Sequence, residues 1–179
     1  MPSQNFLTRF SPLLISAVLI TTGVALWYTG SFNVETAGYT SIWFIAFIGA
    51  ALVFAPAASL AAVCVAVTAG DLNPLVVGVV AGSAEALGEL TGYAAGRGGK
   101  EMFKRNRFYL RFKDFFSRYA GLTLFFGSII PNPLFDIMGV AAGSVLYPVK
   151  RFLLIVFIGK TIKFAWIGVS CYWGLNTLT

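Results

Sequence analysis

Long apolar runs alternate along this chain with short polar turns, and proline interrupts two of the runs near their middle. Residues 10–28 form the first run, with Arg9 before it and Trp27 and Tyr28 closing it. About 20 helical residues cross roughly 30 Å of hydrocarbon, and aromatic side chains favour the membrane interface. The run therefore predicts a transmembrane helix, too long for the apolar core of a signal peptide, about 7–15 residues. Residues 36–70 carry no charge at all. One straight helix of that length would run roughly 50 Å at 1.5 Å per residue, and Pro56 breaks it. The piece after Pro56 is too short to cross. The pattern predicts a hairpin over residues 41–70 that dips into the bilayer, turns in Phe54-Ala55-Pro56-Ala57-Ala58 and returns to the same side.

Asp71-Leu72-Asn73-Pro74 reads as a turn and N-terminal cap for a helix over 75–96. On that helix Gly78, Gly82, Glu85, Glu89, Gly92 and Gly96 recur at helical spacing and share one stripe. Small residues let a second helix approach closely, so both glutamates should face the bundle. Residues 97–118 mix phenylalanines with eight of the 13 basic residues and predict an amphipathic helix on the cytoplasmic leaflet. A second broken run follows over 119–147, turning in Ile130-Pro131-Asn132-Pro133-Leu134-Phe135-Asp136, and a last helix covers 150–175. Lys150 and Arg151 on one side, and Tyr172 and Trp173 on the other, orient that helix outward.

The expected fold is thus an all-α integral membrane protein. An N-terminal transmembrane helix and external loop (1–40) precede an inverted repeat of two re-entrant hairpins, each followed by a transmembrane helix (41–179). Inverted repeats with broken helices at the midplane recur among transporters. The N-terminus and residues 97–118 are expected in the cytoplasm, and the membrane is expected to be a prokaryotic inner (plasma) membrane.

Composition changes this picture little. The 179 residues are 58% hydrophobic and 11% charged, with mean hydropathy +0.80, which excludes an ordinary soluble domain. The net charge of +6 could suggest nucleic acid. Its concentration beside the spans reads instead as a topology signal, and no nucleic-acid partner is expected. Histidine is absent, and no Walker-type phosphate loop occurs. Neither a catalytic residue, a metal site nor a cofactor is expected. Cys64 and Cys171 lie far apart in apolar runs and predict neither a disulfide nor a metal site.

Charged and polar residues at membrane depth are the candidate lipid or ion pathway. A charge there costs about 2.5–3.5 kcal/mol on insertion scales unless paired or hydrated. Glu85, Glu89 and Asp136 are the acids, Lys160 and Lys163 the bases, with Asn132, Tyr93 and Arg97 beside them. Each has a structural alternative. A glutamate can simply pair with a lysine and lock two helices, Asp136 can cap the returning arm, and Asn132 can satisfy exposed backbone. Arg97 can mark a helix end as a topology charge. Pro56, Pro131 and Pro133 end helices, while Gly139 and Gly143, four apart, mark a close helix contact.

The string Pro131-Asn132-Pro133-Leu134-Phe135-Asp136, with Gly139, Ala142-Gly143, Ile158-Gly159-Lys160 and the earlier Gly88-Glu89, Tyr93 and Gly96-Arg97, resembles the VTT-domain (SNARE-associated Golgi protein) family of the DedA superfamily, most of all its vacuole membrane protein branch. The resemblance runs from about Ile42 to Gly174. Two features depart from the bacterial DedA pattern: Ser128-Ile129-Ile130-Pro131 stands where Arg-Phe-x-Pro is usual, and Ala57, Ala58 and Ser59 follow Pro56 where an acid is common. The resemblance implies a phospholipid scramblase working without nucleotide hydrolysis. The alternatives are proton- or cation-coupled transport of a lipid-linked phosphate such as undecaprenyl phosphate, and a membrane scaffold. Expected partners are membrane phospholipids, with anionic lipid at residues 97–118 and a homo-oligomer as further options.

Overall fold

The computed structural model describes residues 38–51, 56–103, 107–131 and 135–176, without the side chains of Pro56, Asp136 and residues 100–115, 117 and 175–176. The helix expected over 10–28, and Asn132 and Pro133 in the second turn, lie outside the described residues.

Seven helices cover nearly all of what is described, and no strand occurs there. They are α1 (Tyr39–Ala51), α2 (Pro56–Thr68), α3 (Pro74–Gly88), α4 (Leu90–Phe103), α5 (Arg107–Ile129), α6 (Phe135–Ser144) and α7 (Val149–Asn176). Proline sets several boundaries, since its fixed φ suits a first helical turn and its missing N–H forbids an interior one. Pro56 and Pro74 open α2 and α3, Pro148 precedes α7, and Pro131 follows the end of α5. Asn73 caps α3 as its position before Pro74 suggests: its Oδ1 accepts from the backbone N–H of Leu75 and Val76. Tyr39 Oη in turn accepts from the Asn73 N–H, tying the turn to the start of α1.

Glu89 is the one residue between α3 and α4, yet its backbone stays right-handed (φ −63°, ψ −15°). Its N–H donates to Glu85 O, and the Tyr93 N–H donates to Glu89 O. The two helices therefore run on as one rod. Two stretches, Pro74–Gly99 and Val149–Gly174, are long and apolar enough to cross a membrane. Within residues 97–118, expected as one amphipathic segment, 97–103 and 107–118 are helical. Their first part extends α4 to Phe103, and from Arg107 they are the opening half of the 23-residue α5.

Packing follows one rule in both halves. The first helix of each half lies on the long helix that follows it, α1 on α3 and α5 on α7. The second helix crosses to the other long helix, α2 on α7 and α6 on α4. Two apolar clusters result. Ile42, Phe47, Val63, Val67, Val77 and Phe164 gather around α1, α2, α3 and α7. Leu90, Phe116, Leu124, Phe135, Phe152 and Val156 gather around α4, α5, α6 and α7. Helix α7 runs through both.

Glycine makes two close helix crossings possible. A methyl group at Gly78 would stand 2.8 Å from the Ala165 backbone N, and one at Gly82 would stand 2.7 Å from Thr161 Cα. Between α4 and α6 the backbones all but touch: a Cβ at Gly96 would overlap the Val140 carbonyl, and one at Gly143 the Tyr93 carbonyl. Small residues serve this purpose in membrane bundles because dispersion, not water exclusion, holds helices together there.

The cysteines correct the sequence reading. Cys64 on α2 and Cys171 on α7 form a disulfide, with Cα atoms 5.4 Å apart across 107 residues of chain. Sequence separation concealed the pair because only the crossing of α2 onto α7 brings them together.

Gly143→Ala should lower the thermal midpoint in detergent markedly, because neither backbone at that crossing can move aside alone. Gly98→Ala, where a new Cβ meets nothing within 4 Å, should leave the midpoint unchanged or slightly raised. Equal effects of the two substitutions in a fluorescence-detected gel-filtration melt would contradict the packing described.

Candidate functional site

Between the two apolar clusters lies a closed group of four charges. The glycine stripe on α3 continues into Glu85 and then Glu89, so the face that presses against α7 at Gly78 and Gly82 becomes acidic one turn later. From α7, Lys160 and Lys163 answer it. Glu85 Oε2 lies 2.6 Å from Lys163 Nζ and 2.8 Å from Lys160 Nζ. Lys160 Nζ also donates to Glu89 Oε1 at 2.9 Å. The order is Lys163, Glu85, Lys160, Glu89, a zipper with two positive and two negative groups and no net charge.

Each member is withdrawn from solvent. Glu85 and Glu89 are 2% exposed, Lys160 6% and Lys163 5%. Aromatic faces cover the cations: the Phe135 ring centroid is 4.4 Å from Lys160 Nζ, and that of Phe164 is 4.1 Å from Lys163 Nζ. Phe135 opens α6, so the start of that helix sits directly against the zipper. Gly139, one turn on, leaves room for Glu89: a Cβ there would be 3.3 Å from Glu89 Oε2. Three elements (the α3–α4 rod, α6 and α7) thus converge on the charges.

The other sequence candidates separate from this group. Tyr93 is buried. Its hydroxyl donates to the Tyr147 carbonyl, and its ring lies 5.1 Å from that of Phe152. It pins the turn between α6 and α7, where Leu146 takes a left-handed φ of 58°. Arg97 is half-buried one turn along α4, with its positive charge close to the Tyr93 hydroxyl. Gly143 forms the α4–α6 crossing already described. Pro56 opens α2 and Pro131 ends the α5 arm. The backbone of Asp136 belongs to α6, but its side chain, with Asn132 and Pro133, is outside the described residues.

Sequence reasoning named all four charges without assigning partners, and it missed two features. One is the shared role of Glu85. The other is Phe135 as the cover over Lys160, noted earlier only as part of a motif. A spacing signal was present for the first: Glu85 is 11 residues beyond Pro74, and Lys160 is 11 residues beyond Val149. The two sit at equal distances along antiparallel helices of similar length.

Because Glu85 alone serves both lysines, Glu85→Ala should cost more stability than Glu89→Ala. Removing one partner from a buried pair leaves an uncompensated charge and costs about 3–5 kcal/mol. Thermal midpoints of the two variants in one detergent check the order, and a greater loss for Glu89→Ala would contradict the shared role.

No curated protein and no solved structure matches the chain. The VTT domain does, over residues 55–174, a region that takes in α2, the charge zipper, both members of the disulfide and the Pro131–Asp136 motif. The chain belongs to the VTT-domain family of the DedA superfamily.

Proposed function

We propose that this protein lets phospholipids pass between the leaflets of its membrane without nucleotide hydrolysis. Its family is generally associated with lipid scrambling and transport, and its members are typically non-catalytic. What supports the reading for this chain is the position of the buried charges along their helices. Eleven residues from each helix start correspond to about 16 Å at 1.5 Å per residue, about half of a 30 Å hydrocarbon core. Charges held at the midplane face the largest barrier a head group meets in crossing.

In this reading α1–α2 and α5–α6 are re-entrant hairpins inserted from opposite leaflets, with their turns near Pro56 and Pro131–Asp136. The zipper is neutral when closed. A zwitterionic head group that reaches the zipper sets its phosphate on Lys160 and its ammonium on the Glu89 carboxylate it displaces, so charge balance holds while the lipid is at mid-membrane. Acyl chains stay in the bilayer, beside the apolar outer face of α7 formed by Leu154, Ile158, Ile162 and Trp166. Access to Lys160 requires Phe135, and with it the start of α6, to withdraw. Asn132 and Asp136, the other polar candidates of the Pro131–Asp136 motif, would then bind the passing head group. Arg97 would meet phosphate nearer the cytoplasmic surface, and the basic residues of 97–118 would gather anionic lipid there.

A second reading has its own observation in favour. All four charges are buried and satisfied by one another, which is also what a purely structural lock between the α3–α4 rod and α7 would look like.

Purified protein in liposomes with a fluorescent phospholipid in both leaflets should allow a membrane-impermeant quencher to remove well over half of the signal. A plateau at half rejects scrambling. Glu89→Gln keeps the shape and an acceptor for Lys160, so it should remain folded yet slow the passage by about tenfold or more, as loss of a charged partner in a dry site implies. Passage at the unsubstituted rate would leave the zipper as a lock only.

A further inference from the structure

The Cys64–Cys171 disulfide joins the second arm of the first hairpin to the last long helix. Its place along α7 is informative. Cys171 is 22 residues beyond Val149, about 33 Å at 1.5 Å per residue, which reaches the far edge of a 30 Å hydrocarbon layer. Exposed Tyr172 and Trp173 follow it directly, as residues at a membrane–water boundary do. Cys64 lies four residues before the end of α2, next to the turn that leads to Asn73. Both cysteines are half-buried. The opposite end of α7 carries exposed Lys150 and Arg151.

Two independent chemistries therefore agree on sidedness. Basic residues are retained on the cytoplasmic side. Disulfides persist on the oxidising side and are rare where thiol buffers act. The pair also breaks the symmetry of the packing rule. Its counterpart in the other half, the crossing of α6 on α4, is held by backbone contact at Gly96 and Gly143 and by the Tyr93–Tyr147 hydrogen bond. On the α2–α7 side the same type of crossing is covalent.

We propose that this disulfide is a redox-controlled clasp on the exoplasmic face. Oxidised, it binds α1–α2 to the two long helices as one frame and leaves α5–α6 as the hairpin that moves; reduced, it frees α2 from α7. Opening consumes two electrons and two protons and yields two thiols, with an external dithiol or phosphine as reductant. An exoplasmic thiol–disulfide oxidase takes the electrons when the clasp re-forms. The clasp does not depend on the scrambling proposal, and neither of its tests measures lipid movement.

The first test uses the full chain in sealed right-side-out and inside-out membrane vesicles, a membrane-impermeant phosphine, and a maleimide polymer that adds a visible mass to each thiol. Two tags should appear only in right-side-out vesicles and only after reductant. Tagging without reductant, or only in inside-out vesicles, overturns the proposal. The second test is hydrogen exchange on detergent-purified unsubstituted protein, which avoids variants that fail to fold. With the disulfide intact, the described parts of 107–144 should exchange about tenfold faster than 39–68. Reduction should remove most of that difference by speeding 39–68. Equal exchange in the oxidised state, or no response to reduction, overturns the clasp.

Discussion

A carboxylate and an ammonium deep inside an apolar bundle cannot stay charged alone, and this requirement organises the centre of the protein. Glu85 and Glu89 come from one long helix, Lys160 and Lys163 from the other. Neither helix can leave its partner without stranding charge where no water restores it. The glycines at positions 78 and 82 serve the same contact from the neighbouring turns by letting the backbones close to the distance at which the side chains meet. Position and pairing are coupled. Polar attraction gives the contact its register, and small residues make it reachable.

The helix pairs α1–α2 and α5–α6 arrange themselves around that axis. Each sends one arm to its own long helix and one to the other, so each long helix is covered by arms from both halves. The exchange explains why the two apolar clusters are distinct yet share α7. It also explains why the zipper lies where they meet. Apolar packing above and below excludes water from the charges, and the charges keep the two clusters in alignment. Low local dielectric strengthens a satisfied network and penalises an incomplete one.

Much of this was legible in the residues, because it depends on local chemistry. Pro56, Pro74 and Pro131 marked helix limits through their missing N–H, and Asn73 announced a cap through its place before Pro74. The Gly78–Gly82–Glu85–Glu89 stripe exposed the buried face of α3 through helical spacing alone. What stayed hidden depended on azimuth and topology. Which lysine meets which glutamate follows from the rotation of α7 about its axis, and that rotation is set by contacts such as Gly82 with Thr161 and Gly159 with Ser128. The Cys64–Cys171 pair follows from the crossing of α2 onto α7, which no local pattern records. For the basic stretch 97–118, composition suits a surface helix but does not show that residues 97–103 run on from α4 and residues 107–118 into the rest of α5.

The closed geometry bears on how a head group could reach the centre at all. Every charge in the zipper has a partner, and the approach to Lys160 is covered by the Phe135 ring at the first residue of α6. Helix α6 is only 10 residues long and leans on α4 through Gly96 and Gly143, without a side-chain interlock at those points. A contact of backbone against backbone has no long side chain to disengage, so one helix can separate from the other as a rigid piece. The ion pairs resist a different movement, separation of α7 from the α3–α4 rod. A passage that opens by moving α6 therefore keeps the ion pairs intact and gives up mainly dispersion, one cation–π contact and the Tyr93–Tyr147 hydrogen bond. Opening between the long helices would expose four charges at once. Between those two routes the energetics favour the short helix.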